Sequence, residues 1–163
     1  MPERFPELGA EYLGDFLDRI ERSVTDLTEA QVWWRANPAT NSIGNLLLHL
    51  QGNLSQWVLD ALGGRAYERH RSQEFAARGT ATKAELLAGL RQVVAGCQEV
   101  VRGLTPDQLA AFREIQGSRS DGFDTVLHVV EHMSYHTGQI VHITKELLGP
   151  AGGIDFFPQH KDE

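Results

Sequence analysis

Asp124-Thr125-Val126-Leu127-His128-Val129-Val130-Glu131-His132-Met133-Ser134-Tyr135-His136-Thr137-Gly138-Gln139-Ile140-Val141-His142-Ile143-Thr144-Lys145-Glu146-Leu147-Leu148 is a long amphipathic run, and Gly149-Pro150 stops it. At about 100° per residue, Val129, Met133, Ile140, Ile143 and Leu147 fall within about 100° of His132. One helix with so broad an apolar side cannot stand alone in water. It needs other helices to cover it, and the rest of the chain supplies them.

Working outward, the apolar residues elsewhere return every three or four positions, with almost no sustained alternation of the strand kind. A first helix is expected from about Glu7 to Leu27, with Leu13, Phe16, Leu17, Ile20 and Val24 on one side and Glu11, Asp18 and Arg22 on the other. Trp33 to Pro38 breaks the period, and Asn41 or Ser42 offers an N-cap for a second helix reaching about Leu62. Gly63-Gly64 ends it, and the polar segment from Arg65 to Thr80 reads as a long crossover with one short turn at most. Thr82-Lys83-Ala84-Glu85 has capping-box spacing and opens a third helix to about Arg102. Thr105-Pro106 starts a short connector through Phe112, and a loop over 117–122 leads into the histidine-bearing fourth helix. The expectation is an all-α four-helix bundle with a long crossover connection. It forms one domain over residues 1–150, followed by a tail over 151–163 that carries Ile154, Phe156 and Phe157.

Composition narrows the function. The chain has 163 residues with 15 Lys and Arg against 22 Asp and Glu, a net charge of −7, so it offers no broad basic face to nucleic acid or to an anionic membrane. Cys97 is the only cysteine, which excludes a disulfide scaffold and a thiolate cluster and makes a reducing cytoplasm the default compartment. No apolar run approaches the roughly 20 residues of a membrane span, and Met1 to Pro6 lacks a signal-peptide pattern.

Histidines carry the chemistry. Of seven in the chain, His128, His132, His136 and His142 lie on the fourth helix. His132 and His136 are one turn apart on the core-facing side, so both imidazoles can reach one ion. His128 is about 12 Å from His136 along the axis, too far for all three to share a first-row metal. A third ligand should come from another helix, and His49 on the second helix matches, at the edge of the arc formed by Ile43, Leu46, Leu50, Leu54 and Trp57. Asn53 and Gln56 lie beside it within roughly 40°, and Gln139 falls near the line of His132. Spacing alone also allows these histidines to be ordinary core or surface residues. His128 and His142 flank the stripe, whereas His70 and His160 fall in a loop and the tail.

Asn41-Ser42-Ile43-Gly44-Asn45-Leu46-Leu47-Leu48-His49-Leu50-Gln51-Gly52-Asn53-Leu54, taken with Glu131-His132-Met133-Ser134-Tyr135-His136-Thr137-Gly138-Gln139-Ile140, resembles the DinB-like superfamily. The likeness runs from about Phe5 to Leu148 and includes Arg71-Ser72-Gln73-Glu74-Phe75. It implies a DinB/YfiT-like bundle with a rearranged connection, a homodimer, and a divalent ion on the positions of His49, His132 and His136. Characterised members of the superfamily are transferases and isomerases that use thiols such as bacillithiol or mycothiol.

Three imidazoles on Zn, Ni or Fe leave open positions, the pattern of a catalytic site. The expectation is a metal-dependent transferase that activates a low-molecular-weight thiol in the cytoplasm. The same residues would serve a metal-dependent hydrolase or a non-catalytic dimeric module tied together by the ion. Asn53, Gln56 and Gln139 are candidates to touch the substrate or orient the ligands. Tyr135, Lys145 and Glu131 lie off the ligand line, and Cys97 reads as a core residue, so no catalytic acid or base is assigned.

Overall fold

The computed structural model describes residues 4–151. The tail residues Ile154, Phe156, Phe157 and His160 lie outside them. Four long helices form the body: α1 (Arg4–Val24), α3 (Ile43–Leu54), α5 (Lys83–Arg102) and α7 (Gly122–Leu148). Between them lie the short helices α2 (Glu29–Val32), α4 (Arg71–Ala76) and α6 (Pro106–Ala110). Helices α1 and α3 each pack against both α5 and α7, so consecutive long helices α1 and α3 face each other across the bundle centre. The core is built from Leu13 and Ile20, Leu46, Leu50 and Leu54, Leu86 and Leu90, and Val129, Met133 and Ile140, all 2% exposed or less.

Local chemistry sets the helix starts. Thr28 with Gln31, Ser42 with Asn45, Thr82 with Glu85 and Thr105 with Gln108 each form a reciprocal capping box, satisfying backbone donors that the first turn leaves free. The first of these ends the expected opening helix at Val24 rather than Leu27 and starts α2, which periodicity over four residues could not reveal. Asp121 accepts from the Asp124 N–H at 2.8 Å, which places the start of α7 at Gly122 rather than Asp124.

Two departures matter near the functional region. The second long helix does not run unbroken to Leu62: after Leu54 it widens into a π-helical turn, Ser55–Asp60, closed by bonds such as Ala61 N–H to Gln56 O at 3.2 Å. The stretch expected to be a loop contains an antiparallel hairpin, β1 (Arg113–Ile115) paired with β2 (Ser118–Ser120). Its two-residue turn, Gln116-Gly117, has φ of 53° and 77°, the left-handed conformation such tight hairpins require. The connector α6 accordingly stops at Ala110, not Phe112. No helix among the described residues is long and apolar enough to cross a membrane.

Candidate metal centre

The histidine side of α7 faces α3, and three imidazoles converge where they meet. His49 and His136 are 4% and 8% exposed, and His132 lies half-buried between them. Nε2 of His132 is 3.1 Å from Nε2 of His49 and 3.2 Å from Nε2 of His136. One nitrogen from each ring falls within 4.8 Å of the others. Two ligands at 2.0–2.1 Å from one ion, at tetrahedral to right angles, stand about 2.9–3.4 Å apart, so the observed spacing is that of a shared metal.

Proton placement favours the same reading. His49 Nδ1 lies 2.8 Å from Glu74 Oε2, and a carboxylate can only accept, so Nδ1 carries the hydrogen and Nε2 presents a lone pair. Arg69 Nη2 also approaches that nitrogen at 3.1 Å, but as two donors they form a contact and not a bond. His136 Nδ1 donates to Gln139 Oε1 at 2.7 Å, so its Nε2 is likewise a lone pair. Both lone pairs point at His132 Nε2, which holds at most one hydrogen, and His132 Nδ1 is buried without a partner. Nitrogen lone pairs left facing one another in a half-dry interior are what a cation would satisfy. The cluster is compatible with a metal site.

Electrostatics keeps the ligands neutral. Burial first, then the nearby imidazoles and the Arg69 guanidinium, push His132 down to about 3. Burial also lowers His136, against the Gln139 hydrogen bond, and lowers His128, against the charge of Glu131. A metal needs the unprotonated ring.

Glu74 is the functional residue that the sequence reading did not single out. Burial opposes its ionisation, yet hydrogen bonds from His49 and Arg69 and the arginine's charge outweigh this and hold the carboxyl below the usual carboxylate range. Arg69 Nε donates to Oε1 at 2.8 Å and Nη2 to Oε2 at 3.0 Å, a forked pair with its guanidinium nearly dry. The carboxylate fits only because residue 52 is glycine: a Cβ there would stand 2.1 Å from Glu74 Oε1. Gly52 sits three residues after His49, on the same side of α3. A glycine beside an inward histidine is the one sequence signal that a further group enters there.

The remaining candidates separate. Gln139 touches His136, while Gln56, on the π turn, accepts from Arg69 Nη1 at 3.3 Å and also meets Gln116 from the hairpin turn. Asn53 is 4% exposed and its Oδ1 has no partner, but it bonds to none of the three histidines. His128 packs on Trp57, ring centroids 4.2 Å apart, and on His132 at 5.6 Å. His142 pairs with Glu146 and, with Gln139, Trp34 and Ile143, lines a separate cleft of about 370 Å³. Cys97 is fully buried, and its thiol is pushed up to about 12 by burial, against the charge of Arg65.

Over residues 8–151 the sequence matches the family described as "Protein of unknown function (DUF1572)". A conserved protein from Enterococcus faecalis has a similar solved structure, with a TM-score of 0.72 and 17% identity over 88% of this chain and 96% of that one. A DinB-like protein from Bacillus cereus ATCC 10987 gives a TM-score of 0.67 and 14% identity over 88% and 95%. No curated protein matches. The fold is therefore DinB-like and all-α.

Proposed function

We propose that this chain, which belongs to the DUF1572 family and has the DinB-like fold, is a divalent-metal-dependent enzyme that activates a low-molecular-weight thiol, of the bacillithiol kind, for transfer to an electrophile. The observation that carries this reading is the convergence of three Nε2 atoms at metal-sharing distance. His49, His132 and His136 would hold Zn, Ni or Fe. Bound there, the ion supplies a Lewis-acidic position whose charge three neutral ligands do not cancel, where a thiol is held as thiolate at neutral pH.

The protein's own residues do the rest. Glu74 fixes the His49 tautomer from the crossover, and Gln139 fixes that of His136 from within α7. Cys97 cannot serve as the nucleophile, because it is sealed in the core with its thiol raised out of range, so the sulfur must come from a diffusible molecule. Metal analysis of the full chain beside His49→Ala and His132→Ala, each checked for folding by circular dichroism, tests the site: about one equivalent is expected in the parent and none in the variants. A panel of thiols and electrophiles then tests the chemistry; turnover that needs no thiol would point to hydrolysis instead. We also propose a homodimer in the cytoplasm. Light scattering at a monomer mass would overturn the dimer.

A further inference from the structure

The crossover contributes four arginines, and three are spent on the protein itself. Arg65 pairs with Glu99 at 3.3 Å, Arg69 is buried on Glu74, and Arg78 caps the carbonyls of Phe75 and Ala77 at 2.8 and 2.6 Å. Arg71 differs: it is exposed, it makes no hydrogen bond or ion pair among the described residues, and its guanidinium lies over the Phe75 ring, 5.1 Å from the centroid. That ring in turn packs on His49, centroids 4.7 Å apart. Arg71, Glu74 and Phe75 are spaced i, i+3 and i+4, so one side of α4 presents a cation, a carboxylate and a ring toward the same histidine. Glu74 turns inward and is 8% exposed, while Arg71 stays in solvent two ring contacts from the metal cluster. Across the cluster, Tyr135, 59% exposed, sets its ring against His136 at 5.0 Å.

We infer that Arg71 is a specificity-determining residue, reading a carboxylate on the substrate thiol while Phe75 and Tyr135 flank its carbon skeleton. This rests on the thiol reading above and names its class: a small thiol carrying a negatively charged group a few bonds from sulfur. In a chain with net charge −7, an unpaired guanidinium beside the site is a local attractor for such an anion. Stacking on Phe75 holds its planar fork ready for a two-oxygen acceptor.

The test is calorimetric titration of the zinc-loaded full chain with three thiols of similar size: 3-mercaptopropionate, 2-mercaptoethanol and cysteamine. The parent is expected to bind the carboxylate thiol roughly three- to tenfold more tightly than the neutral one, with the ammonium thiol weakest, because an exposed charge pair gives about that much. The margin should shrink at high salt. Arg71→Gln is expected to erase the preference and leave 2-mercaptoethanol unchanged, and Arg71→Lys to keep part of it. Equal binding of charged and neutral thiols by the parent, or a preference that survives Arg71→Gln, overturns this inference alone. Binding of none of the three overturns the thiol reading together with it.

Discussion

Asn45 and His49 stand one turn apart on α3, both are buried, and both reach the crossover, yet they end in opposite states. Asn45 is wholly satisfied: its Oδ1 accepts from the Ser42 N–H at 3.2 Å and hydroxyl at 2.8 Å, and its amide donates to the carbonyls of Glu74 at 2.9 Å and Ala77 at 3.0 Å. His49 is satisfied on one nitrogen only, and its other faces two more imidazoles. A buried polar group that serves structure finds all its partners within the chain. One that serves a site keeps a lone pair pointed where no protein hydrogen can meet it.

The sharpest way to break this contrast is Asn45→Ala, which removes a helix cap and strips two carbonyls of a donor. It should cost about 3 kcal/mol in denaturant unfolding, with or without metal. Chelation should act the other way round, destabilising the parent by about 2.7 kcal/mol where free metal stands a hundredfold above its Kd. In His49→Ala the chelator should change nothing; a chelator effect that persists would place the ion elsewhere.

Gly52→Ala probes the connection between the two residues, since its methyl would displace Glu74, whose backbone is held by Asn45 and whose side chain is held by His49. Metal affinity, measured against a competing chelator, should fall about 10–100-fold. Unchanged affinity would show that the carboxylate does not orient the ligand.

The smallest effect is the acid response of the metal-free protein. His132 is pushed down to about 3 from an ordinary 6.5, and His136 and His128 are lowered too, so the folded state binds fewer protons than the unfolded chain in that interval. Their contribution is present above about pH 6.5 and is lost as pH falls toward 3; Glu74, lowered from 4.5, acts in the same direction at the acid end. Unfolding midpoints measured across this range should rise with pH, and His132→Leu should flatten the rise.

What could be read in the sequence follows the same division. Helical periodicity aims side chains, so the pairing of His132 with His136 and the inward edge position of His49 were legible from angle alone. The capping pattern at Thr82 and Glu85 announced α5, but Ser42 and Asn45 make the same box with a shorter side chain that also ties down the crossover. Glu74 was not legible as a functional residue because it arrives on six helical residues inside a polar segment, with no period to orient it. The hairpin strands are three residues each, too short for alternation to register.

The π turn bears on how this protein can change by mutation. A π turn is an α-helix carrying one residue too many, and Gln56 and Trp57 reach Arg69 and His128 from within it. Loss of a single codon between 55 and 60 would restore the tighter pitch and rotate whatever follows by about 100°, swinging Trp57 away from His128 while leaving every other residue type in place. Substitutions in this stretch alter which groups meet, whereas a deletion alters where all of them point. The number of residues between His49 and Gly63 is thus as heritable a property of the site as their identity.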